Sequence, residues 1–268
     1  MEPPETRELV GRTALVTGVS RRAGIGAAIA RELGRAGARI FATHFRQYDQ
    51  KQAWGIGPGE PESLIRDLGL IAGEVEGAEL DLSQPGSPAE LFRQVRARFG
   101  DIDILVNNAA HWEAAGVRDV RAEQLDQHYA VNVRAVVLLC AEFARQARRG
   151  SPGRIINITS GQNRSPMPGQ IAYVVTKAAL DALTLTLSAE LAGSGITVNA
   201  IDPGPTDTGW ISEETRAKLL REWPGGISAP EAIGRLVRFL AGDDASSING
   251  QVILAQTDWK SGVTRRTG

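Results

Sequence analysis

The sequence predicts an α/β protein built on one doubly wound parallel sheet of about seven strands, with helices on both faces. Short apolar runs alternate with longer amphipathic segments from one end of the chain to the other. The links between them are short, and such an alternation favours parallel strands joined by right-handed crossovers. At 268 residues the chain can bury a large core, and we expect a single domain over residues 1–268.

The apolar runs mark the strands, and a glycine, a proline or a polar cluster follows each of them. The predicted strands cover residues 12–17, 39–44, 75–80, 102–106, 154–159, 195–201 and 250–255. The predicted helices cover residues 26–37, 61–71, 87–99, 122–149, 173–192, 209–222 and 230–241. Residues 47–61 are rich in glycine and polar side chains, so they predict a loop.

Composition argues against several classes of function. The formal net charge is −1, with 42% apolar and 23% charged residues, which gives no pull toward nucleic acid or an anionic membrane. No apolar run is long enough to predict a transmembrane helix. The single cysteine, Cys140, lies in an apolar helical pattern and is expected to be a buried thiol. One cysteine permits no internal disulfide, so we expect a cytoplasmic protein.

A serine, a tyrosine and a lysine follow the fifth predicted strand. Tyr173 and Lys177 are four residues apart, so on a helix they lie one turn apart on the same face. A phenol with a pKa of about 10 is a poor acid at neutral pH, and a neighbouring ammonium should lower that pKa. Ser160, at the end of the strand, could direct its hydroxyl to the same place. The alternative is a surface tyrosine–lysine pair without a chemical role.

The first predicted strand ends in a glycine-rich turn. Gly18 follows the strand, and Gly24, Ile25 and Gly26 lead into the next helix. The backbone N–H groups and the positive helix end at such a turn can hold a pyrophosphate. These glycines could also serve only to turn the chain, but their position at the first strand–helix turn favours a dinucleotide site.

The second predicted strand ends without the carboxylate with which NAD-binding proteins hold the adenosine ribose. His44 and Arg46 stand there, and Asp49 comes only later. Arg21 and Arg22 lie in the glycine-rich turn, and positive charge of this kind suits the 2′-phosphate of NADP(H). We therefore expect NADP(H) to be preferred over NAD(H). The alternative is that these arginines are solvated loop residues.

Small or polar residues also follow the other strands. Because the ligand of a doubly wound sheet lies outside the carboxyl ends of its strands, we expect these residues to line one crevice. They are Asp81 and Leu82 after strand three, Asn108, Ala109 and Ala110 after strand four, and Pro203, Gly204, Thr206 and Thr208 after strand six. Asn132 lies inside an apolar helical pattern, as either a surface residue or a buried amide with a partner.

With these positions in place, the chain resembles the short-chain dehydrogenase/reductase family over about residues 10–258. Its closest likeness is to the bacterial 3-oxoacyl-[acyl-carrier-protein] reductase type. The resemblance rests on ordered motifs at the right spacing: Thr17-Gly18 with Gly24-Ile25-Gly26, Asp81-Leu82, Asn107-Asn108-Ala109-Ala110, Asn132, Ser160, Tyr173 with Lys177, Pro203-Gly204 with Thr208, and Gly250-Gln251-Val252.

The resemblance implies a Rossmann-type fold and hydride transfer between NADP(H) and a carbonyl or secondary alcohol, with no metal site. It implies that Tyr173 is the general acid/base and that Lys177 lowers its pKa and binds the nicotinamide ribose. Ser160 would bind the substrate oxygen, and Asn132 would hold a proton-relay water. The implied cofactor contacts are Gly18, Ser20, Arg21, Arg22, Gly24, Ile25, Gly26, His44, Arg46, Asp81, Leu82, Asn108, Ala109, Ala110, Tyr173, Lys177, Pro203, Gly204, Thr206 and Thr208.

The chain departs from the family pattern in two places. Five residues separate Gly18 from Gly24 where the family normally has three, and residues 47–61 replace what is often a helix start. The Tyr173–Lys177 spacing argues against the enoyl-reductase branch of the family. We further expect residues 1–9 to be flexible and residues 209–229 to form a substrate lid.

The resemblance also implies a homotetramer, paired through the helices that carry Asn132 and Tyr173 and through the last strand. A small-molecule carbonyl or alcohol is the expected partner, although the sequence does not identify it. Residues that could line its pocket are His111, Trp112, Met167, Trp210 and Trp223, while the tryptophans could equally belong to the core or an interface. The competing hypothesis is a catalytically idle dinucleotide-binding regulator or scaffold.

Overall fold

The structure is a computed structural model that describes residues 7–147, 152–209, 211, 213–222 and 226–255. Within these ranges the strands form one sheet, in which every neighbouring pair is parallel. The strands are β1 (Thr13–Val16), β2 (Arg39–His44), β3 (Val75–Glu79), β4 (Ile104–Asn107), β5 (Gly153–Ile158), β6 (Ile196–Asp202) and β7 (Val252–Leu254). Their order across the sheet is β3-β2-β1-β4-β5-β6-β7.

Helices cover both faces of this sheet. They are α1 (Ile25–Arg35), α2 (Arg46–Lys51), α3 (Glu60–Ala72), α4 (Ser87–Phe99), α5 (Ala122–Tyr129), α6 (Val136–Gln146), α7 (Ile171–Glu190), α8 (Glu213–Glu222) and α9 (Pro230–Ala241). One core cluster joins the sheet to α1, α3 and α9, and a second joins its other face to α4, α6 and α7. The predicted fold class, a doubly wound parallel sheet of the Rossmann type, is therefore confirmed.

The side chains of β1 show why the central strands are mainly apolar. Ala14 and Val16 belong to the core cluster beneath α1, whereas Leu15 between them belongs to the cluster on the opposite face. Successive side chains of a strand point to opposite faces, so a strand covered on both sides needs apolar residues at every position. The continuous apolar runs in the sequence follow from this burial.

The chain changes its direction of travel across the sheet between β1 and β4. It proceeds from β1 through β2 to β3 at one edge, and then returns to place β4 on the other side of β1. The connections that follow β1 and β4 therefore lead away from each other and leave a crevice at the carboxyl ends of these two strands. Gly18 and Asn108 stand at this crevice.

The prediction of a loop over residues 47–61 was wrong at its start, where α2 forms a short helix. Its six residues are mostly polar and show no apolar periodicity, so local pattern gave no helix signal. Tertiary contacts hold it instead. The Tyr48 hydroxyl accepts a hydrogen bond from the backbone N–H of Trp112 at 3.0 Å, and buried Asp49 accepts one from Nε1 of Trp54 at 3.1 Å.

The prediction of one regular helix over residues 122–149 was also wrong. A π-helical segment, Ala130–Ala135, separates α5 from α6, and the last residues of the predicted helix, 148 and 149, lie outside the described part of the chain. Both flanks are helical, which is why the sequence shows one continuous pattern. A π-helical segment of this kind is often associated with a functional residue.

Two further expectations need correction. Of residues 1–9, expected to be flexible, residues 1–6 lie outside the described ranges, but Leu9 is fully buried and its N–H bonds the carbonyl of Ala36 at 2.9 Å. Among the described residues, helix α7 is long and apolar enough to span a membrane, by length and composition alone. This helix buries Lys177 and Thr184 and packs against β6, as the core helix of a globular fold does.

Candidate active site

The crevice between β1 and β4 brings the predicted glycine turn against the asparagine–alanine turn. The Thr17 hydroxyl accepts hydrogen bonds from the backbone N–H groups of Asn108 and Ala109, both at 3.0 Å. A Cβ atom on Gly18 would stand 2.8 Å from the Cα of Ala109, and one on Gly26 would stand 2.3 Å from the carbonyl oxygen of Gly18. Only glycine fits at these two positions.

The first turn of α1 fits a phosphate group. Its N-cap residue is Gly24, and no side chain caps the helix. The first backbone N–H groups and the positive end of the helix dipole therefore face the crevice without a competing side chain. Ile25 packs against the core below, and Ser20 is buried in the same turn. These residues suit the pyrophosphate of a dinucleotide.

Charged side chains at the carboxyl end of β2 are arranged differently from the prediction. Arg46 forms ion pairs with Glu62 at 2.7 Å and with Glu79, and Arg22 pairs with Asp67 at 2.5 Å. The strand itself ends without a carboxylate, but α3 and β3 bring acidic residues to this end. The positive charge available to a 2′-phosphate is smaller than the sequence suggested.

Arg21 and His44, two other residues predicted to contact the cofactor, are also not free positive charges at this end of the sheet. Arg21 donates a hydrogen bond to the carbonyl of Thr208 at 3.1 Å, and it lies 3.6 Å from buried Asp49 and over the ring of Trp54. Burial lowers the pKa of His44, so this side chain is neutral at neutral pH and adds no positive charge. Arg21 therefore links the glycine turn to the residues that follow β6.

The turn after β3 is ordered by its own aspartate. Asp81 accepts hydrogen bonds from the backbone N–H of Ser83 at 2.8 Å and from the side chain of Gln84 at 3.2 Å. Leu82 is buried in the cluster beneath α4. Ala109 packs against that cluster from the neighbouring turn, and Ala110 is partly buried beside it. These residues form one side of the crevice.

Asn132, in the π-helical segment, is fully buried and makes three hydrogen bonds. Its Oδ1 accepts the N–H of His111 at 2.7 Å, while its Nδ2 donates to the carbonyl of His111 and to the hydroxyl of Thr176, both at 3.0 Å. The alternative of a surface asparagine is thereby excluded. Asn132 connects the loop after β4 to helix α7, which carries Tyr173.

Ser160, Tyr173 and Lys177 come together at the carboxyl end of β5. The Ser160 hydroxyl lies near the Tyr173 hydroxyl, where its hydrogen-bonding effect favours the phenolate and lowers the pKa of Tyr173. Lys177 is 2% exposed, its Nζ donates to the carbonyl oxygen of Ile158 at 2.7 Å, and it lies 5.8 Å from the centroid of the Tyr173 ring. The alternative of a surface tyrosine–lysine pair does not hold.

The electrostatics of this trio run against the prediction. Burial raises the pKa of Tyr173, the Ser160 hydrogen bond lowers it, and the carboxylate of Asp202 raises it further, with a net rise. The prediction that Lys177 lowers the pKa of Tyr173 was therefore wrong for this structure. Burial lowers the pKa of Lys177 itself to about 8, and its Nζ is bound to Ile158 rather than to the phenol oxygen.

The residues after β6 close the other side of the site. The backbone N–H of Gly204 donates to Oδ1 of Asp202 at 2.9 Å, and the hydroxyl of Thr206 donates to the carbonyl of Pro203 at 3.2 Å. Thr206 and Thr208 are both buried. This turn thus has a fixed conformation, and its link to Arg21 joins it to the glycine turn.

Several residues of the site gave no signal in the sequence. Arg164 forms an ion pair with Asp202 at 2.8 Å, and Asp181 accepts hydrogen bonds from Gln162 at 2.9 Å and from Asn163. These contacts join segments that are distant in sequence, so no local spacing reveals them. The position of Asp202 directly before Pro203 was the one available hint.

The predicted pocket residues are only partly described. Trp210, Trp223 and parts of the expected lid over residues 209–229 lie outside the described ranges. Trp112 donates from Nε1 to the side chain of Gln170 at 3.0 Å, next to the start of α7. The ring of His111 stacks edge-on against that of His128 at 4.7 Å. His111 and Trp112 lie on the loop after β4, and Asn132 is hydrogen-bonded to the backbone of His111 in that loop.

A parallel sheet with this switch point, together with a glycine cradle at the first helix, defines a dinucleotide-binding α/β protein. A family model described as enoyl-(acyl carrier protein) reductase matches residues 18–257. Among curated relatives, the uncharacterized oxidoreductase YjdA of Bacillus subtilis is 41% identical over 245 residues, covering 90% of this chain and 94% of that protein.

Two other relatives are similar over the same length. The 3-oxoacyl-[acyl-carrier-protein] reductase FabG of Escherichia coli is 32% identical over 247 residues, covering 91% of this chain and 95% of that protein. A crystal structure of a short-chain dehydrogenase from Burkholderia cenocepacia in complex with NADP is 32% identical, with a TM-score of 0.82, covering 93% of this chain and 98% of that one. The chain belongs to the short-chain dehydrogenase/reductase family, and its likeness to the 3-oxoacyl-[acyl-carrier-protein] reductase type is confirmed.

Proposed function

We propose that this protein is an NADP(H)-dependent reductase that interconverts a carbonyl compound and its secondary alcohol. The observation that carries this proposal is the trio at the end of β5. The hydroxyls of Ser160 and Tyr173 lie near each other, with the buried amine of Lys177 beside them. In an oxidoreductase of this family, two neighbouring hydroxyl donors suit the oxygen of a carbonyl substrate.

Reduction needs one hydride and one proton, and the bound cofactor would supply the hydride from its reduced nicotinamide ring. The Tyr173 phenol would donate its proton to the substrate oxygen, while the Ser160 hydroxyl binds the same oxygen. The raised pKa of Tyr173 keeps the phenol protonated at neutral pH, which suits a proton donor. Alcohol oxidation uses the phenolate, so that direction should be favoured at alkaline pH.

The proton lost by Tyr173 must be replaced from solvent. Lys177, with a pKa of about 8, can exchange a proton near neutral pH. We assign to Asn132 the water that relays this proton. Both N–H groups of Asn132 are used, and its Oδ1 accepts one hydrogen bond, so one lone pair of that oxygen remains for a water.

Different parts of the cofactor would be held by different turns at the carboxyl ends of the strands. Gly18, Gly24 and Gly26 would receive the pyrophosphate at the start of α1. The residues after β3 and β4 would flank the adenosine, and those after β6, from Pro203 to Thr208, would contact the nicotinamide amide. Lys177 would also bind the nicotinamide ribose.

Replacing Tyr173 with phenylalanine tests the acid/base role. Tyr173→Phe removes the proton donor but keeps the ring, so kcat should fall by about 10²-fold or more while NADPH affinity stays nearly unchanged. Steady-state kinetics and fluorescence titration with NADPH measure the two quantities. The matched control is Tyr129→Phe, because Tyr129 is 53% exposed and lies on α5. Full activity in Tyr173→Phe would refute the role.

Cofactor preference is tested by comparing kcat/KM for NADPH and NADH. We expect NADPH to be favoured by about tenfold or more, the effect of one charge-assisted contact to the 2′-phosphate. Three single variants should show which arginine makes that contact: Arg21→Gln, Arg22→Gln and Arg46→Gln. Loss of the contacting arginine should reduce the ratio of kcat/KM for NADPH to that for NADH. Arg93→Gln is the control, because the Arg93 side chain on α4 is 69% exposed. Equal use of both cofactors by the wild type would overturn the proposal.

The competing hypothesis is a regulator or scaffold that binds the dinucleotide without turnover. Incubation with NADPH and a panel of ketones, aldehydes and 3-oxoacyl thioesters separates the two. Steady oxidation of NADPH with any of them supports the enzyme, whereas tight NADPH binding without oxidation favours the regulator. An enoyl thioester belongs in the panel because the matching family model carries that description.

We also propose that the protein assembles as a homotetramer through helices α5, α6 and α7 and strand β7. Apolar side chains on these elements are exposed in the single chain, where monomers usually place polar ones. They are Leu125, Tyr129, Val137, Ile171, Val175, Leu185 and Val252. Helices α5 and α7 pack against each other, so their exposed residues belong to one side of the molecule.

A further inference from the structure

Two turns meet at the end of β5 and β6, and both carry site residues. We call residues 160–164 the serine turn and residues 202–208 the proline turn. The strands before them are in register, with Ile158 opposite Ile201, and the N–H of Thr159 bonds the carbonyl of Ile201 at 2.8 Å. Ser160 and Asp202 therefore lie at neighbouring positions across the two strands.

An ion pair joins the two turns. Nε of Arg164, in the serine turn, lies 2.8 Å from Oδ2 of Asp202, in the proline turn. The side chain of Asp202 is 7% exposed and that of Arg164 is 27% exposed, so solvent screens the pair only in part. The second carboxylate oxygen of Asp202 accepts the N–H of Gly204 at 2.9 Å. Asp202 thus holds both turns.

A second carboxylate supports the serine turn from below. Asp181, on α7 one turn after Lys177, accepts hydrogen bonds from Gln162 at 2.9 Å and from Asn163. Burial raises the pKa of Asp181. Asp202, in contrast, forms an ion pair with Arg164, so the negative charge of its carboxylate has a positive charge next to it.

We propose that Arg164 and Asp202 are a positioning pair, which holds Ser160 against the proline turn and sets the net charge that the Tyr173 hydroxyl experiences. The inference rests on the proposed role of Tyr173 as acid/base. The carboxylate of Asp202 raises the pKa of Tyr173, and Nε of Arg164 lies 2.8 Å from that carboxylate. The other ionisable groups around Tyr173 and this pair are Lys177 and Asp181 on α7 and Tyr48 on α2.

The two single substitutions act in opposite directions on Tyr173. Arg164→Gln leaves the carboxylate of Asp202 without its offset, which favours the neutral phenol and raises the pKa of Tyr173. Asp202→Asn removes the negative charge, which lowers that pKa, while the amide oxygen can still accept the N–H of Gly204. Each shift should be about half a pH unit to one unit, and the double variant should return toward the wild type.

The test is a titration of Tyr173 by ¹³Cζ NMR in protein labelled at tyrosine, with and without saturating NADP⁺. The chain has three tyrosines, and Tyr48→Phe, Tyr129→Phe and Tyr173→Phe assign the signals. Arg164→Lys keeps the charge and should keep the wild-type value. The control is Arg93→Gln, whose exposed ion pair with Glu90 lies on α4. Circular dichroism of each variant establishes that it is folded.

Opposite shifts in the two single variants, with compensation in the double variant, support the pair. Shifts of the same sign, or no shift in either, overturn it, because a purely structural contact would not distinguish the sign of the charge removed. The titration needs no substrate, so its outcome is independent of turnover. If Tyr173→Phe remains active, the proposed function fails while the charge effect still stands. If Tyr173→Phe is inactive and the pKa of Tyr173 is the same in the wild type and in both single variants, only the positioning pair fails.

Discussion

Lys177 is nearly fully buried, and its amine donates a hydrogen bond to the carbonyl of Ile158 at the end of β5. Burial disfavours the ammonium and brings the pKa of Lys177 to about 8. The same burial favours the neutral phenol of Tyr173. Desolvation thus lowers the pKa of Lys177, raises that of Tyr173 and separates the two values, and it acts in the direction opposite to the ion-pair effect that their spacing suggests.

The three histidines predict how stability depends on pH. Burial lowers the pKa of His44, His111 and His128 in the folded protein, that of His111 to about 4. Below their unfolded pKa of about 6.5 the unfolded chain binds more protons, so the free energy of unfolding falls as pH decreases. For His111 the loss between about pH 7.5 and pH 5 should be about 1–2 kcal/mol.

Urea denaturation at these two pH values measures the effect. The variant His111→Gln should show a smaller pH dependence than the wild type, because it has no imidazole to protonate. Asn132 binds the backbone of residue 111, so that contact survives the substitution. Carboxylates contribute equally to both proteins, and the difference isolates the histidine. Identical pH dependence in the two proteins would show that His111 is not protonated on unfolding.

At the scale of elements, the π-helical segment explains how Asn132 reaches its partners. It interrupts the long helix between α5 and α6, and Asn132 is fully buried within it. From there the amide binds the loop after β4 on one side and α7 on the other. A mid-helix asparagine is locally unfavourable, so it is the three hydrogen bonds that stabilise it there.

Helix α2 is an element that exists because of its neighbours. Tyr48 is bound to both backbone groups of Trp112, by the N–H at 3.0 Å and by the carbonyl at 3.4 Å, and its buried phenol has a pKa of about 12. Asp49 and Trp54 meet Arg21 of the glycine turn. This segment therefore connects the end of β2 to both sides of the crevice.

At the scale of the whole molecule, the exposed apolar residues on α5, α6, α7 and β7 predict the assembly. Light scattering should give a mass about four times that of the 28.6 kDa chain. Leu185→Asp, at a position 64% exposed on α7, should reduce this mass, because it places a charge in the proposed interface. Leu70→Asp is the control, since Leu70 is 88% exposed on α3. A monomeric wild type would reject the tetramer.

Topology also determines which predictions from sequence succeed. The central strands are mainly apolar and are followed by glycine or polar residues, so their positions and the crevice at their ends could be predicted from local pattern. Gly18, Gly26 and Asn108 were identified in this way, and the structure places all three in mutual contact. The ion pairs of Arg22, Arg46 and Arg164 could not be predicted, because each partner comes from another part of the chain.

The sequence by itself determined the parallel sheet, the glycine cradle and the set of Ser160, Tyr173 and Lys177, because strand burial and helix spacing are local properties. Only the tertiary structure decided the charges in the site. Burial and the nearby carboxylate of Asp202 raise the pKa of Tyr173. Carboxylates from α3 and β3 form ion pairs with Arg22 and Arg46, which were expected to be free to bind a phosphate. Desolvation and charge pairing depend on which segments come together in space, and the one-dimensional pattern does not contain that information.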